Sequence, residues 1–98
     1  MKALIDIEKI LEEEFLEDLF SFEDDIAAGA FVSNDISRGT YATYIDFKMK
    51  RFFCSCLGFR SHKTPCKHIK TLAYYCLKKN LITRANIKEV FGDNFLGN

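Results

Sequence analysis

The stretch Phe53-Cys54-Ser55-Cys56-Leu57-Gly58-Phe59-Arg60-Ser61-His62-Lys63-Thr64-Pro65-Cys66-Lys67-His68-Ile69 decides how this chain is read. Cys54, Cys56, Cys66 and His68 fall into the spacing C-x-C-x9-C-x-H. Three thiolates and one imidazole make a donor set that suits a closed, tetrahedral, structural zinc site. The spacing has a physical logic. Two cysteines at the end of a hairpin can turn their sulfurs toward one ion, and a nine-residue loop containing Gly58 brings the chain back. Thr64-Pro65 then opens a helix, with Thr as a cap and Pro at a position that sacrifices no hydrogen bond. There the helix N-terminus favours thiolate over thiol at Cys66. Residues two apart do not share a helical face, so Cys66 must sit at the loosely constrained start, with His68 in the first turn.

Other uses of these side chains fit less well. Cys54 and Cys56 are too close for comfortable bridging, and an intracellular chain stays reduced. A nucleophilic Cys paired with a His base lacks an acid partner and an oxyanion loop. A redox pair would be C-x-x-C in a βαβ setting. His62, in the basic loop, is a reserve ligand. Cys76 falls on the apolar face of the following helix and reads as a small core residue. A Zn2+ ion with three thiolates and a neutral His carries a net charge of −1, which the flanking Arg51, Arg60, Lys63, Lys67 and Lys70 would favour. With all four ligands from protein, no position is left for an activated water.

Working outward, the helix is expected to run to about Lys79. It buries Ile69, Leu72, Ala73 and Cys76 and turns Lys67, Lys70, Thr71, Tyr74 and Lys78 the other way. Thr83 to Phe91 reads as a short last helix stopped by Gly92. On the N-terminal side, Tyr41, Thr43, Ile45 and Phe47 alternate with Ala42, Tyr44, Asp46 and Lys48, a half-buried strand. Lys48-Met49-Lys50 turns it into Arg51-Phe52-Phe53-Cys54, and Ala30-Phe31-Val32 is a further short strand before the turn-rich Ser33–Gly39. The first segment reads as an amphipathic helix: Ile7, Leu11, Phe15, Leu19, Phe22 and Ile26 recur at three- and four-residue steps, with glutamates on the other face. The fold class is α+β: an N-terminal helix, an antiparallel sheet of two or three strands, a zinc-stapled ββα finger and a short C-terminal helix. We expect one domain over 1–98, divided into an acidic helical segment (1–28), the finger (40–80) and a C-terminal helix and tail (81–98).

Ninety-eight residues, 48% hydrophobic and 29% charged, describe a globular chain. No apolar run is long enough to span a membrane, and the N-terminus turns acidic too early for a secretory signal. The expected address is intracellular. A domain this small buries only about 60 to 68% of its unfolded surface, so a metal that contributes roughly 10–16 kcal/mol to folding is a requirement rather than an ornament. The net charge of zero conceals a division. Residues 1–25 hold ten acids against two lysines, whereas Lys48 to Lys88 holds eleven Lys or Arg and no acid. Such asymmetry points to a polyanionic partner, or to an acidic segment that neutralises the basic one internally.

The pattern Phe53-Cys54-Ser55-Cys56-Leu57-Gly58-Phe59 followed by Thr64-Pro65-Cys66-Lys67-His68-Ile69 resembles the SWIM zinc finger. The resemblance implies Zn2+ ligation by Cys54, Cys56, Cys66 and His68, and a role in DNA binding or protein interaction. By size and layout, the chain looks most like the short SWIM proteins that pair with RecA-family recombinase paralogues in DNA recombination and repair. The alternatives are a DNA-binding module of a transcription regulator or transposase-like system, or a pure adaptor. For nucleic acid, the expected face is Arg60, Lys63, Lys67, Lys70, Tyr74 and Lys78, cations with an aromatic among them. Without Asn or Gln there, contact would be mostly with the backbone and weakly selective. A protein partner would use the acidic helix of residues 5–22 and aromatics such as Phe52 and Phe59. No phosphate loop or credible triad supports an enzyme.

Overall fold

The strand pattern around residues 41–54 requires a sheet, and the sheet requires something to cover one face. The computed structural model describes residues 2–33, 39–93 and 95, with only the backbone described for residues 2–6. In chain order the elements are α1 (Lys2–Glu13), a 3-10 turn (Glu17–Leu19), β1 (Ser21–Glu23), β2 (Ile26–Val32), β3 (Thr40–Asp46), β4 (Arg51–Cys54), α2 (Leu57–His62), α3 (Lys67–Lys78) and α4 (Arg84–Phe91). Among the described residues the strands form one antiparallel sheet in the order β1-β2-β3-β4. Residues 34–38, within the expected turn after β2, lie outside the described residues.

Alternation sets the two faces of the sheet. Ala27, Phe31, Thr43, Ile45 and Cys54 point inward and are buried, and α1 and α3 pack over them through Ile7, Ile10, Ile69, Leu72, Ala73 and Cys76. Gly29 lies under this contact. A Cβ there would stand 3.2 Å from both Leu72 Cδ1 and Phe15 Cε1, so the bare backbone is what lets α3 and Phe15 close on β2. Asp46 Oδ1 accepts from the N–H groups of Lys48 and Met49 and so builds the turn between β3 and β4. The C-terminal helix starts in a capping box between Thr83 and Asn86. It is held to β4 by Phe91, which lies 4.9 Å from the Phe52 ring and stacks on Phe95 at 3.8 Å.

The α+β class and its helical ends match the sequence expectation; the N-terminal third differs. The helix stops at Glu13, where Phe15 N–H bonds back to Ile10 O. The chain then runs alongside β2, with Leu16 N–H donating to Ala30 O and Glu14 O accepting from Val32 N–H. Asp24 and Asp25 both have positive φ and close a two-residue hairpin between Ser21–Glu23 and Ile26–Val32, so among the described residues the sheet has four strands instead of two or three. Phe15 and Phe22 still face the core, but Leu19 and Ile26 are exposed, as no single helix would have placed them. Two further corrections follow from packing. Thr71 is fully buried, its hydroxyl donating to Lys67 O, and does not lie on the basic side of α3. Phe59 is buried and Phe52 is packed against it at 6.0 Å, so neither is a surplus surface aromatic.

Candidate metal centre

Strand and helix ends bring the four candidate ligands together. Cys54 closes β4 with its side chain inward; Ser55 pairs with β3, exchanging bonds with Ala42 through its N–H and its Oγ. Because residues two apart in extended chain share a side, Cys56 returns to the same side as Cys54. It caps α2, and its sulfur accepts from Phe59 N–H at 3.5 Å. Lys63, in the left-handed region at φ 59°, ends α2 and turns the chain back. Cys66 is the cap residue of α3 and His68 lies in its first turn. The loop between the pairs thus holds a helix, α2, that its sequence did not announce.

The three sulfurs and one imidazole nitrogen all lie within 4.8 Å of one another. His68 Nδ1 is 3.6 Å from Cys54 Sγ and 3.9 Å from Cys66 Sγ. Bond lengths of about 2.3 Å to sulfur and 2.0–2.1 Å to nitrogen place tetrahedral ligand atoms roughly 3.5–3.8 Å apart. The set therefore fits Zn2+ after small contractions. Cys54, Cys56 and His68 are buried and Cys66 is partly so. Thr43 donates its hydroxyl to Cys54 Sγ at 3.3 Å, and the His68 ring is clasped between Phe31 and Tyr41, at 5.0 and 5.1 Å. The Cys54 sulfur is already biased toward thiolate, whereas Cys66, expected from its place at a helix start to favour thiolate, is held as the thiol. Hydrogen bonding from Cys66, then from His68 and Thr43, draws Cys54 far below the ordinary thiol value, against the opposing effect of burial. The same shared proton, together with burial, holds Cys66 above it. A metal held by both sulfurs would take the place of that proton. A cleft of about 590 Å³ beside the cluster, lined by Tyr41, Leu57, His62 and Lys67 among others, gives an entry path.

Cys76 is buried beneath α3, its thiol pushed up to about 12 by burial, and stands apart from the cluster. His62 is exposed on α2 and is not part of it. Glu14 was missed by sequence reading. The acidic run Glu12-Glu13-Glu14 suggests an outward face, yet Glu14 is only 8% exposed and its Oε1 lies 3.6 Å from His68 Nε2. Nothing local distinguishes it from its neighbours; only the end of α1 turns it inward.

The expected nucleic-acid face is divided. Arg60, Lys63, Lys67 and Lys78 are exposed and Lys70 partly so. Arg60, Lys63, Lys67 and Lys70 make no ion pair among the described residues. Tyr74 instead turns to α1 and donates to Glu8, while the ammonium of Lys78 lies 5.6 Å from the Tyr74 ring.

The class defined by this site is a zinc-binding module with every ligand drawn from the protein. Residues 49–77 match the SWIM zinc finger family, so this part of the chain carries a SWIM-type finger around those four ligands. That finger is a binding module rather than a catalytic family. No curated protein and no solved structure matches the chain. Among the described residues no helix is long and apolar enough to cross a membrane.

Proposed function

We propose that the chain is a non-enzymatic module that binds nucleic acid through the cations around its zinc finger, and that it works beside a protein partner in DNA recombination or repair. The observation that carries this reading is the set Arg60, Lys63, Lys67 and Lys70, which lies on α2, its cap and the start of α3, the elements that hold Cys56, Cys66 and His68, and makes no ion pair among the described residues. Zinc with three thiolates holds α2 and the start of α3 rigidly, so these cations are presented in a fixed arrangement. Contact is with phosphates, since no Asn or Gln lies among them to read bases. Glu17 of the acidic segment meets the other end of α3, where it accepts from Tyr75 and lies 4.0 Å from Lys79.

Four phosphate contacts give a log–log salt slope near −3.6 on duplex DNA, and Lys67→Ala with Lys70→Ala reduces its magnitude by about 1.8. The double variant keeps its zinc and its circular dichroism spectrum. Unchanged affinity in that variant removes the nucleic-acid reading of this face. An adaptor role is favoured by Glu12 and Glu13, exposed at the end of α1. A RecA-family recombinase paralogue is the partner that the layout suggests. Charge reversal at Glu12 and Glu13 releases such a partner and leaves DNA affinity alone.

A further inference from the structure

We propose that Glu14 is a positioning residue of the zinc centre: its carboxylate accepts the Nε2–H of His68 and so fixes the imidazole with Nδ1 toward the metal. The inference uses the zinc site alone and is independent of what the basic face binds.

Two observations carry it. The first is that His68 Nε2 is buried and has no hydrogen-bond partner among the described residues. The second is that a buried carboxylate stands beside it, with Glu14 Oε1 at 3.6 Å. A buried polar atom without a partner costs free energy, and the Glu14 carboxylate offers an acceptor at 3.6 Å from it. Neutral imidazole that gives Nδ1 to a metal carries its proton on Nε2. Metal loading therefore creates a buried donor aimed at Glu14, and closing the gap takes only several tenths of an ångström. Ligating histidines commonly hand their second N–H to a carboxylate, which sets the tautomer and raises ligand basicity.

The surrounding structure holds both partners in place. Glu14 N–H donates to Ile10 O at 2.8 Å, and Glu14 O accepts from Val32 N–H at 2.7 Å, so the backbone is tied to α1 on one side and to β2 on the other. The imidazole plane is set by Phe31 and Tyr41. The consequence is that the metal centre extends beyond residues 49–77. The end of α1, far away in sequence, becomes part of it, and zinc binding fastens α1 to the finger.

The test uses the full zinc-loaded chain with Glu14→Ala, Glu14→Gln and, as control, the exposed neighbour Glu13→Ala. Zinc affinity is measured by competition with a chromophoric chelator, and the His68 ring by long-range proton–nitrogen NMR. We expect Glu14→Ala to lose about 10- to 100-fold in zinc affinity, Glu14→Gln to lose less because its amide oxygen still accepts, and Glu13→Ala to bind as wild type. The wild-type spectrum should show Nδ1 as the ligand and a slowly exchanging Nε2–H, lost in Glu14→Ala. Wild-type affinity in Glu14→Ala, or coordination through Nε2, overturns the proposal. Should the Ala variant fail to fold, Glu14→Gln decides: a Nε2–H signal unchanged from wild type in shift and exchange rate also overturns it.

Discussion

Tyr74 on α3 donates its hydroxyl to Oε1 of Glu8 on α1 at 3.1 Å, across sixty-six positions of chain. Burial, and then this bond, raise the phenol above its ordinary value. Its neighbour Tyr75 donates to Glu17 at 2.7 Å and packs against Phe15 and Phe20, at 4.7 and 4.8 Å. Glu8 and Glu17 thus meet α3 through tyrosines, beyond the turn that carries His68, and among the described residues neither pairs with Arg60, Lys63, Lys67 or Lys70. Tyr74→Phe is accordingly expected to cost about 1 kcal/mol or less in urea unfolding and to leave DNA affinity within about twofold of wild type. A large loss of DNA affinity would return Tyr74 to the binding face.

Gly29 is a close-approach position. In Gly29→Ala the new methyl meets the Leu72 and Phe15 side chains at 3.2 Å, so these two must give by a few tenths of an ångström in a packed core. Overpacking of this kind costs about 1–3 kcal/mol. Urea unfolding of the zinc-loaded protein measures it, and a neutral or stabilising result would mean that Leu72 and Phe15 yield without loss of packing.

Cys76 makes stability fall in alkali. Burial raises its thiol from the ordinary 9.0 to about 12. The folded chain therefore keeps a proton that the unfolded chain releases above about pH 9. Its contribution is fully present below that value and declines between about 9 and 12, by roughly 1.4 kcal/mol per pH unit. Between pH 9 and 10.5, Cys76→Ala should lose less stability than wild type by about 2 kcal/mol. Equal losses would count against a buried thiol here. In the folded protein at neutral pH, this cysteine should also be slow toward thiol reagents.

Much of the molecule is legible in its sequence because the decisive signals are local. C-x-C at a strand end and C-x-H at a helix start each place two ligands through neighbouring backbone alone, and the apolar face of α3 follows from its own period. Thr83 and Gly92 bound α4 as capping chemistry requires. The N-terminal third is misleading for a physical reason. Phe15, Leu19, Phe22 and Ile26 keep helical spacing, but Phe15 packs as a bridge to Phe31 and Phe22 as a strand residue opposite Ala27. The helix has already ended at Glu13, and the hairpin at Asp24-Asp25 then folds β1 onto β2, with two aspartates taking positive φ without the glycine that would have signalled it. Glu14 is hidden for a related reason: its inward turn depends on where α1 ends, and that is fixed by contact with β2.

Chelation separates a folding metal from an accessory one. Removing zinc should unfold the finger and loosen both α3 and the sheet edge, because metal binding of this type contributes roughly 10–16 kcal/mol, as much as or more than a small domain's whole stability. Loss of tertiary signal on chelation and its return with added zinc check this. A chelated protein with native chemical shifts would make the ion dispensable.

The most direct measurement is the metal content of the reduced, purified chain, by elemental analysis and native mass spectrometry, beside Cys56→Ser. The account predicts one zinc per wild-type chain with four free thiols on denaturation, and little or none in Cys56→Ser. Wild-type protein free of metal, or holding its sulfurs as disulfides, would contradict it.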